Sequence, residues 1–209
     1  MFVTAEVSLG TRRAVRVVEF RGVIDAAIYP SERATRPVLG STCQVARGRV
    51  ASMSMIEERL GRMGLELPAV FAAPRGLEVR FDLVRVAGDT AYVSGHGPID
   101  GVSVLMVGKV GGRLTVEDGR EAARLTALSI LASLKAELGD LDRVKSWVKA
   151  LGLVNCEPGF NQTPAVINGF SELILELWGE TGRHARSAIG AAELPFDMPV
   201  EIEAIVQIT

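Results

Sequence analysis

Two long helices, each closed by a glycine, constrain the fold of this chain more than any other feature of its sequence. Leucines repeat at helical spacing between Thr115, a residue type that caps helices, and Gly139, which suits the left-handed position at a helix end. A second helix is predicted from Thr163, a cap followed by proline, to Gly179. The apolar stretch VKSWVKALGLV between them is predicted to be a buried strand. This alternation predicts an α+β domain with both helices on one face of a mixed sheet.

Strand patterns lie on both sides of the helices. Alternating apolar and charged residues in LEVRFDLVRV predict a half-buried strand that contains Phe81. AGDT is typical of a turn into a second strand, TAYVSG, and VLMVGKVGG is a candidate for a third, short strand. Two further strands, over roughly 184–192 and 200–208, close the chain.

The last two strands are predicted to form a hairpin, which sets the position of an arginine. In that hairpin Arg186 shares a sheet face with Glu201 and Glu203. Arg186 and Glu201 are then about six positions apart, on the order of 20 Å at ~3.4 Å per residue. The two side chains could meet only through a neighbouring subunit.

A guanidinium does not lose its charge, so Arg186 needs an anion wherever the sheet covers it. The neighbours of Arg186 in HARSAIG are small and leave room for the carboxylate of a ligand. The alternative is an ion pair with an acid in an oligomer interface.

Composition narrows the class of protein. A net charge of −2 and a pI near 5.8 argue against a nucleic-acid partner. Only Cys43 and Cys156 are present, so we expect no disulfide framework and a cytoplasmic location. No apolar run approaches the ~18 residues of a membrane helix, and no secretory signal is recognised, so we expect no membrane partner.

The first fifty residues differ from the rest of the chain. They carry eight arginines against four acids, and no lysine occurs before Lys109. A capped helix is predicted from Ser54, where SMSMIEERLGRMG begins. We therefore expect a domain over 54–209 and an extension over 1–53 that is poorly structured, or that precedes the true start at Met53 or Met55. A hairpin formed by FVTAEVSL and RRAVRVVEF is the alternative.

Four stretches together resemble one known family. GREAARLTALSILASLKAELGDLDRVKSWVKALGLVN, INGFSELILELWGE, HARSAIGAAELP and VEIEAIV are similar in order and spacing to the Rid family, also called YjgF or L-PSP endoribonuclease. The likeness covers roughly 54–209, and the chain is most similar to the family branch of about 150 residues that opens with a helix like SMIEERLGRMGLELP. The resemblance implies a chorismate-mutase-like fold that assembles as a homotrimer, with its ligand clefts between subunits.

The resemblance also implies an activity. Well-known members hydrolyse reactive 2-enamino and 2-imino acids to 2-keto acids and ammonia, with no metal or organic cofactor. Arg186 matches the arginine that grips the substrate carboxylate, and Glu201 matches the glutamate of the last strand. A glutamate in that position suits the activation of water or the transfer of a proton to ammonia.

Other candidate ligand contacts follow from the same match. Asn168 and Gly95 match family positions, whereas Phe81 stands near a usual tyrosine and His96 replaces a usual glutamine. Backbone N–H groups around Ser94 in SGHG are candidates for holding a carboxylate.

Two other functions fit parts of the sequence. A trimeric protein that binds small carboxylates or other metabolites without turnover needs the same Arg186 and Glu201. An endoribonuclease, which the family name suggests, is disfavoured by the acidic pI and by the low aromatic content of 5%. His96 and His184 lack the spacing of metal ligands, so no metal site is expected.

Overall fold

A computed structural model describes residues 3–7, 15–19, 54–73, 76 and 78–209, the first two ranges as backbone only. Three helices are present there: α1 (Met55–Arg62), α2 (Val116–Leu138) and α3 (Thr163–Trp178). The strands are β1 (Val3–Val7), β2 (Val15–Glu19), β3 (Val84–Ala87), β4 (Thr90–His96), β5 (Ile99–Asp100), β6 (Ser103–Val104), β7 (Val144–Asn155), β8 (Ala185–Ala191) and β9 (Val200–Ile208).

Local signals place the helices where the sequence predicts them. Ser54 accepts a hydrogen bond from the backbone at the start of α1, and Thr115 forms a capping box with Asp118 at the start of α2. Gly139 closes α2 in the left-handed conformation, with φ of 81°. One cap differs from the prediction, because the hydroxyl of Thr163 donates to the Ala188 carbonyl and so ties α3 to β8 instead of capping the helix.

Both long helices cover one face of a five-stranded sheet, as predicted for an α+β fold. The sheet has the order β3-β4-β9-β7-β8, in which β7 and β8 are parallel and the other neighbours antiparallel. Large side chains of both helices are fully buried between helices and sheet: Ile130, Leu131, Leu134, Phe170, Leu173, Ile174 and Leu177. Burial of this apolar surface stabilises the packing of the helices on the sheet.

The predicted hairpin between the last two strands is wrong. Strand β7 lies between β8 and β9, with Ala150 aligned to Arg186 on one side and Leu153 aligned to Glu201 on the other. Aligned residues share a sheet face, and successive residues alternate, so Arg186 and Glu201 lie on opposite faces. The helix α3 carries the chain back to run parallel to β7, and the segment 192–199 then reaches the other edge of that strand.

The predicted strand around Phe81 also differs from the structure. Strand β3 begins only at Val84, and the preceding segment is irregular, with the Phe81 side chain 59% exposed. Pairing of β3 with β4 stops at Val84↔Val93, and no described strand pairs with residues 78–83 to fix their alternating pattern.

The backbone of β1 and β2 forms an antiparallel pair, and Val18 aligns with Val104 of β6 to extend a second sheet, β1-β2-β6-β5. This pair corresponds to the alternative hairpin of the sequence analysis. The sequence analysis expects the extension over 1–53 to be poorly structured. Apart from β1 and β2, that extension lies outside the described residues. Within the described part of the chain, no helix is both long and apolar enough to cross a bilayer.

Candidate functional site

A cluster of polar side chains surrounds Arg186 where the start of α3 lies beside β8. Nη1 of Arg186 donates to Asn168 Oδ1 at 3.0 Å and to Ser171 Oγ at 2.9 Å. Nη2 donates to the Pro164 carbonyl at 3.3 Å. Asn168 and Ser171 are three residues apart on α3, so both face the same side of the helix. We call Asn168, Ser171, His184 and Arg186 the arginine cluster.

The guanidinium of Arg186 meets only neutral acceptors in the described part of the chain: an amide, a hydroxyl and a carbonyl. No carboxylate among these residues forms an ion pair with it. Partial burial lowers the pKa of Arg186, yet a guanidinium stays charged at neutral pH. The cluster therefore presents a positive charge to which no described residue supplies an anion.

His184 fixes the orientation of the serine in this cluster. Its Nδ1–H donates to the Gly182 carbonyl at 2.8 Å, which leaves Nε2 to accept the hydroxyl proton of Ser171 at 3.0 Å. Burial lowers the pKa of His184, the hydrogen bond to the Gly182 carbonyl raises it and the charge of Arg186 lowers it, with a net fall that favours the neutral imidazole. Ser171 thus keeps a lone pair directed at Arg186, which holds the guanidinium in place.

A second feature, which we call the glutamate pocket, lies on the other side of β7. It is a cavity of about 160 Å³ that reaches Glu201 of β9. The residues that line it are Phe71, Phe81, Leu83, Gly95, His96, Gly97, Ile99, Ser129, Pro195, Phe196, Met198 and Glu201.

The carboxyl of Glu201 lies directly over Gly95. A Cβ atom at position 95 would stand 2.1 Å from Glu201 Oε1, so any other residue would displace this carboxyl. Burial raises the pKa of Glu201, and the negative charge of Glu203 raises it further. A carboxyl with a pKa shifted toward neutrality suits general acid and base chemistry.

An irregularity in β4 shapes this side of the pocket. Val93 aligns with Ala204 whereas His96 aligns with Ile202, so one extra residue of β4 bulges out around Ser94 and Gly95. The Ser94 hydroxyl donates to the Asp82 carbonyl at 2.7 Å and so holds the segment that carries Phe81.

The same bulge turns His96 under the sheet toward α2. There Nδ1–H donates to the Ser94 carbonyl at 2.7 Å, and Nε2 accepts from the Ser133 hydroxyl at 2.9 Å. Burial lowers the pKa of His96. The ring therefore lines the pocket with both nitrogens already engaged.

The predicted site residues fall into two groups that do not meet in one chain. Phe81, Gly95, His96 and Glu201 line the glutamate pocket and Ser94 supports it, whereas Asn168 contacts Arg186. The register positions of Arg186 and Glu201 on β7 differ by three residues, about 10 Å, and two strand spacings, about 10 Å more, separate their strands.

Sequence reasoning missed Ser171 as a partner of Arg186, and it missed the apolar wall formed by Phe71, Phe196 and Met198. The spacing of Ser171 from Asn168 was a usable signal. No local sequence pattern indicates the apolar wall, because Phe71 is far in sequence from Phe196 and Met198. The described residues contain no group of three or more His, Cys, Asp or Glu side chains placed to hold a metal ion.

Comparisons with known proteins bear on both features. A family model described as "YjgF/chorismate mutase-like, putative endoribonuclease" matches residues 57–204. Protein TCP17 of Trypanosoma cruzi is 44% identical over 165 residues, which span 78% of this chain and 97% of that protein.

Two crystal structures are also similar at the level of fold and sequence. Atu1372 of Agrobacterium tumefaciens, a protein of unknown function, is 40% identical, with a TM-score of 0.66 over 74% of this chain and 92% of that one. A protein of Shewanella oneidensis that carries the same endoribonuclease description is 31% identical, with a TM-score of 0.68 over 73% and 99%.

Proposed function

The chain belongs to the YjgF/chorismate-mutase-like family, and on that premise we propose that it hydrolyses 2-imino acids, or their 2-enamino tautomers, to 2-keto acids and ammonia. One observation carries this proposal. Arg186 is a fixed positive charge without a carboxylate partner in the described chain, and the same chain holds a carboxyl of raised pKa at an apolar pocket. The first group suits binding of a carboxylate, and the second suits activation of water.

The complete site is proposed to form between protomers of a homotrimer. Arg186 lies on the edge strand β8 and is too far from Glu201 of its own chain to share a ligand with it, so the arginine cluster of one protomer is proposed to meet the glutamate pocket of another. The sheet face away from the helices supports an interface, because Ile189 is 50% and Tyr92 48% exposed there. Leu151, Leu153 and Ile205 lie on the same face by register.

In the proposed reaction Arg186 binds the substrate carboxylate through two parallel charge-assisted hydrogen bonds. This contact fixes C2 of the imine, so that much of the rate comes from positioning. With the imine protonated, ionised Glu201 accepts a proton from water as the oxygen adds to C2, and a neutral carbinolamine forms. Glu201 then donates that proton to the amino nitrogen. As the C–N bond breaks and ammonia leaves, the carboxylate takes the hydroxyl proton and the C2 carbonyl forms.

We further propose that the protein acts in the cytoplasm. Cys156 is a free thiol in the structure, which suits a reducing compartment.

The test is release of 2-keto acid from an imine generated in the assay, above the spontaneous rate. Arg186→Ala is expected to abolish the acceleration, because the carboxylate loses its charged partner. Arg183→Ala is the matched control, since Arg183 is exposed and, among the described residues, pairs only with Glu180, and it should retain full activity. Full acceleration by Arg186→Ala would refute the proposal.

Carboxylate binding without turnover is the second candidate, and the arginine cluster by itself favours it. In that case the wild-type protein would bind a 2-keto acid saturably, and Arg186→Ala would abolish binding, with no acceleration of hydrolysis in either protein.

A further inference from the structure

The walls of the glutamate pocket are apolar. Its seven apolar side chains come from four separate parts of the chain, and Phe81 and Phe196 remain partly exposed at its edge. They are Phe71, Phe81, Leu83, Ile99, Pro195, Phe196 and Met198.

The polar side chains in the lining are already committed, with one exception. The Ser129 hydroxyl donates to the Ile99 carbonyl at 2.7 Å and accepts from the Ile99 backbone N–H at 3.3 Å. Both nitrogens of His96 are engaged, as described above. Among the described residues, Glu201 alone of these three side chains has no hydrogen-bond partner. The pocket therefore offers a ligand one carboxyl and otherwise only apolar surface.

The volume of the pocket limits what it accepts. A cavity of about 160 Å³ corresponds to about five water molecules at ~30 Å³ each, or about as many non-hydrogen atoms. A side chain of four non-hydrogen atoms, such as that of leucine or methionine, matches this volume.

The edge of the pocket at Phe196 is held by a specific set of contacts. Phe196 and Asp197 both adopt positive φ, 57° and 55°, which residues with a side chain rarely do. The Asp197 carboxylate accepts from Asn155 Nδ2 at 3.0 Å, and the Asp197 carbonyl accepts from the backbone N–H of Gly108 at 2.8 Å. Lys109 in turn donates to Asn155 Oδ1 at 2.8 Å. Because Asn155 is fully buried, this network fixes the turn that places the Phe196 ring.

We infer that the glutamate pocket receives the substrate's side chain and selects 2-imino acids with an aliphatic or thioether side chain of about four non-hydrogen atoms. This inference rests on the proposed function and names its substrate class. A polar side chain would lose its hydration and would find in the pocket only the carboxyl of Glu201, which the proposed reaction itself uses. An acidic side chain would in addition face the carboxyl of Glu201.

The test measures binding of 2-keto acids to the full-length protein by calorimetry, independently of turnover. The ligands are pyruvate, 4-methyl-2-oxopentanoate and 2-oxoglutarate. Each buried methylene strengthens binding about fourfold, so the three extra carbons of 4-methyl-2-oxopentanoate should tighten binding by roughly 10- to 60-fold over pyruvate. 2-Oxoglutarate should bind no more tightly than pyruvate.

Variants at the pocket edge sharpen this test. Phe196→Ala should reduce the advantage of 4-methyl-2-oxopentanoate several-fold while pyruvate binding changes little. Phe196→Lys should improve binding of 2-oxoglutarate, because it brings a cation to the same edge. Val102→Ala is the control, since Val102 is 56% exposed and does not line the pocket. Phe196→Leu, which keeps an apolar wall, should preserve the ranking if the alanine variant proves unstable.

The outcomes separate this inference from the proposed function. Equal affinity of the wild-type protein for all three ligands overturns the side-chain pocket and leaves the imine hydrolysis in place if Arg186→Ala still abolishes turnover. Unaltered turnover in Arg186→Ala overturns the proposed function, whatever the ranking of the ligands.

Discussion

Arg186 and Glu201 face opposite sides of one sheet, and the arginine cluster and the glutamate pocket around them differ in chemical character. The cluster consists of neutral hydrogen-bonding groups around one permanent charge, contributed by α3 and the edge strand β8. The pocket consists of apolar side chains around one carboxyl, contributed by β4, β9 and loops. A charge held by dipoles keeps its attraction for an outside anion, whereas a carboxyl in apolar surroundings gains affinity for a proton.

This contrast assigns different tasks to the two regions. The proposed reaction needs a permanent positive charge to bind substrate and a group that gains and loses a proton within the working pH range. Arg186 cannot do the second task, and Glu201 in its pocket cannot do the first. Changes in the pocket should therefore alter turnover, and changes in the cluster should alter binding.

Within the glutamate pocket, the largest expected effect comes from Gly95→Ala. The added Cβ would occupy the space of Glu201 Oε1, 2.1 Å away, and so displace the carboxyl without changing its chemistry. We expect turnover to fall by about a hundredfold or more, the usual contribution of a general acid or base. Binding of a 2-keto acid at Arg186 should change little.

Gly61→Ala is the control for this variant, because no atom lies within 4 Å of a Cβ built at Gly61. Thermal unfolding of both variants should remain cooperative. Normal turnover by Gly95→Ala would show that Glu201 does not act from its place above Gly95. The assignment of turnover to the glutamate pocket would then be wrong.

The sequence predicts the framework around these regions well. Helix ends are encoded locally, so the capping box at Thr115 and the left-handed Gly139 were identified from a few residues. The alternation in VEIEAIV likewise predicted which residues of β9 are buried.

Long-range relations were harder to predict. Alternation tells which residues of a strand share a face but not which strand is its neighbour, so the hairpin of β8 with β9 was predicted where β7 intervenes. Arg186 was consequently placed on the face of Glu201. The left-handed turn at Phe196 is likewise absent from the local pattern, because buried Asn155 stabilises it from a distant strand.

A smaller effect is expected from Ser171→Ala in the arginine cluster. Removal of the hydroxyl leaves Arg186 with Asn168 and the Pro164 carbonyl, and leaves His184 Nε2 without its donor. Since such a hydrogen bond contributes about 1 kcal/mol net, KM should rise about 5- to 10-fold while kcat stays close to wild type.

Ser171→Thr keeps the hydroxyl and should restore KM. Ser146→Ala is the matched control, because within the described part of the chain the Ser146 hydroxyl bonds only to Gln207, and Ser146 lies four residues along β7 from the position aligned with Arg186. A fall in kcat at constant KM would instead assign Ser171 to the chemical step and remove the difference between the two regions.

The smallest effect, and the one most specific to the pocket, is a shift in pH dependence caused by Glu203→Gln. Burial is the larger cause of the raised pKa of Glu201 and the charge of Glu203 the smaller, so the variant should lower this pKa only part of the way toward its ordinary value. As pH falls, Glu201 loses its negative charge at the raised pKa, and turnover should fall with it. In Glu203→Gln this acid limb should therefore move to lower pH, whereas Glu180→Gln, a change at an exposed residue paired with Arg183, should leave it in place.

The same raised pKa of Glu201 makes the free energy of unfolding fall as pH rises, whereas turnover falls as pH falls. Because the folded state holds the Glu201 proton more tightly than the unfolded state does, the contribution of this group is fully present below its unfolded pKa. It is lost as pH rises through the raised, folded pKa. Removal of the Glu203 charge lessens that loss, so urea unfolding above the folded pKa should show Glu203→Gln to be slightly more stable than wild type. An acid limb that does not move in Glu203→Gln would mean that Glu201 is not the titrating group, and turnover would then have to be assigned outside the pocket.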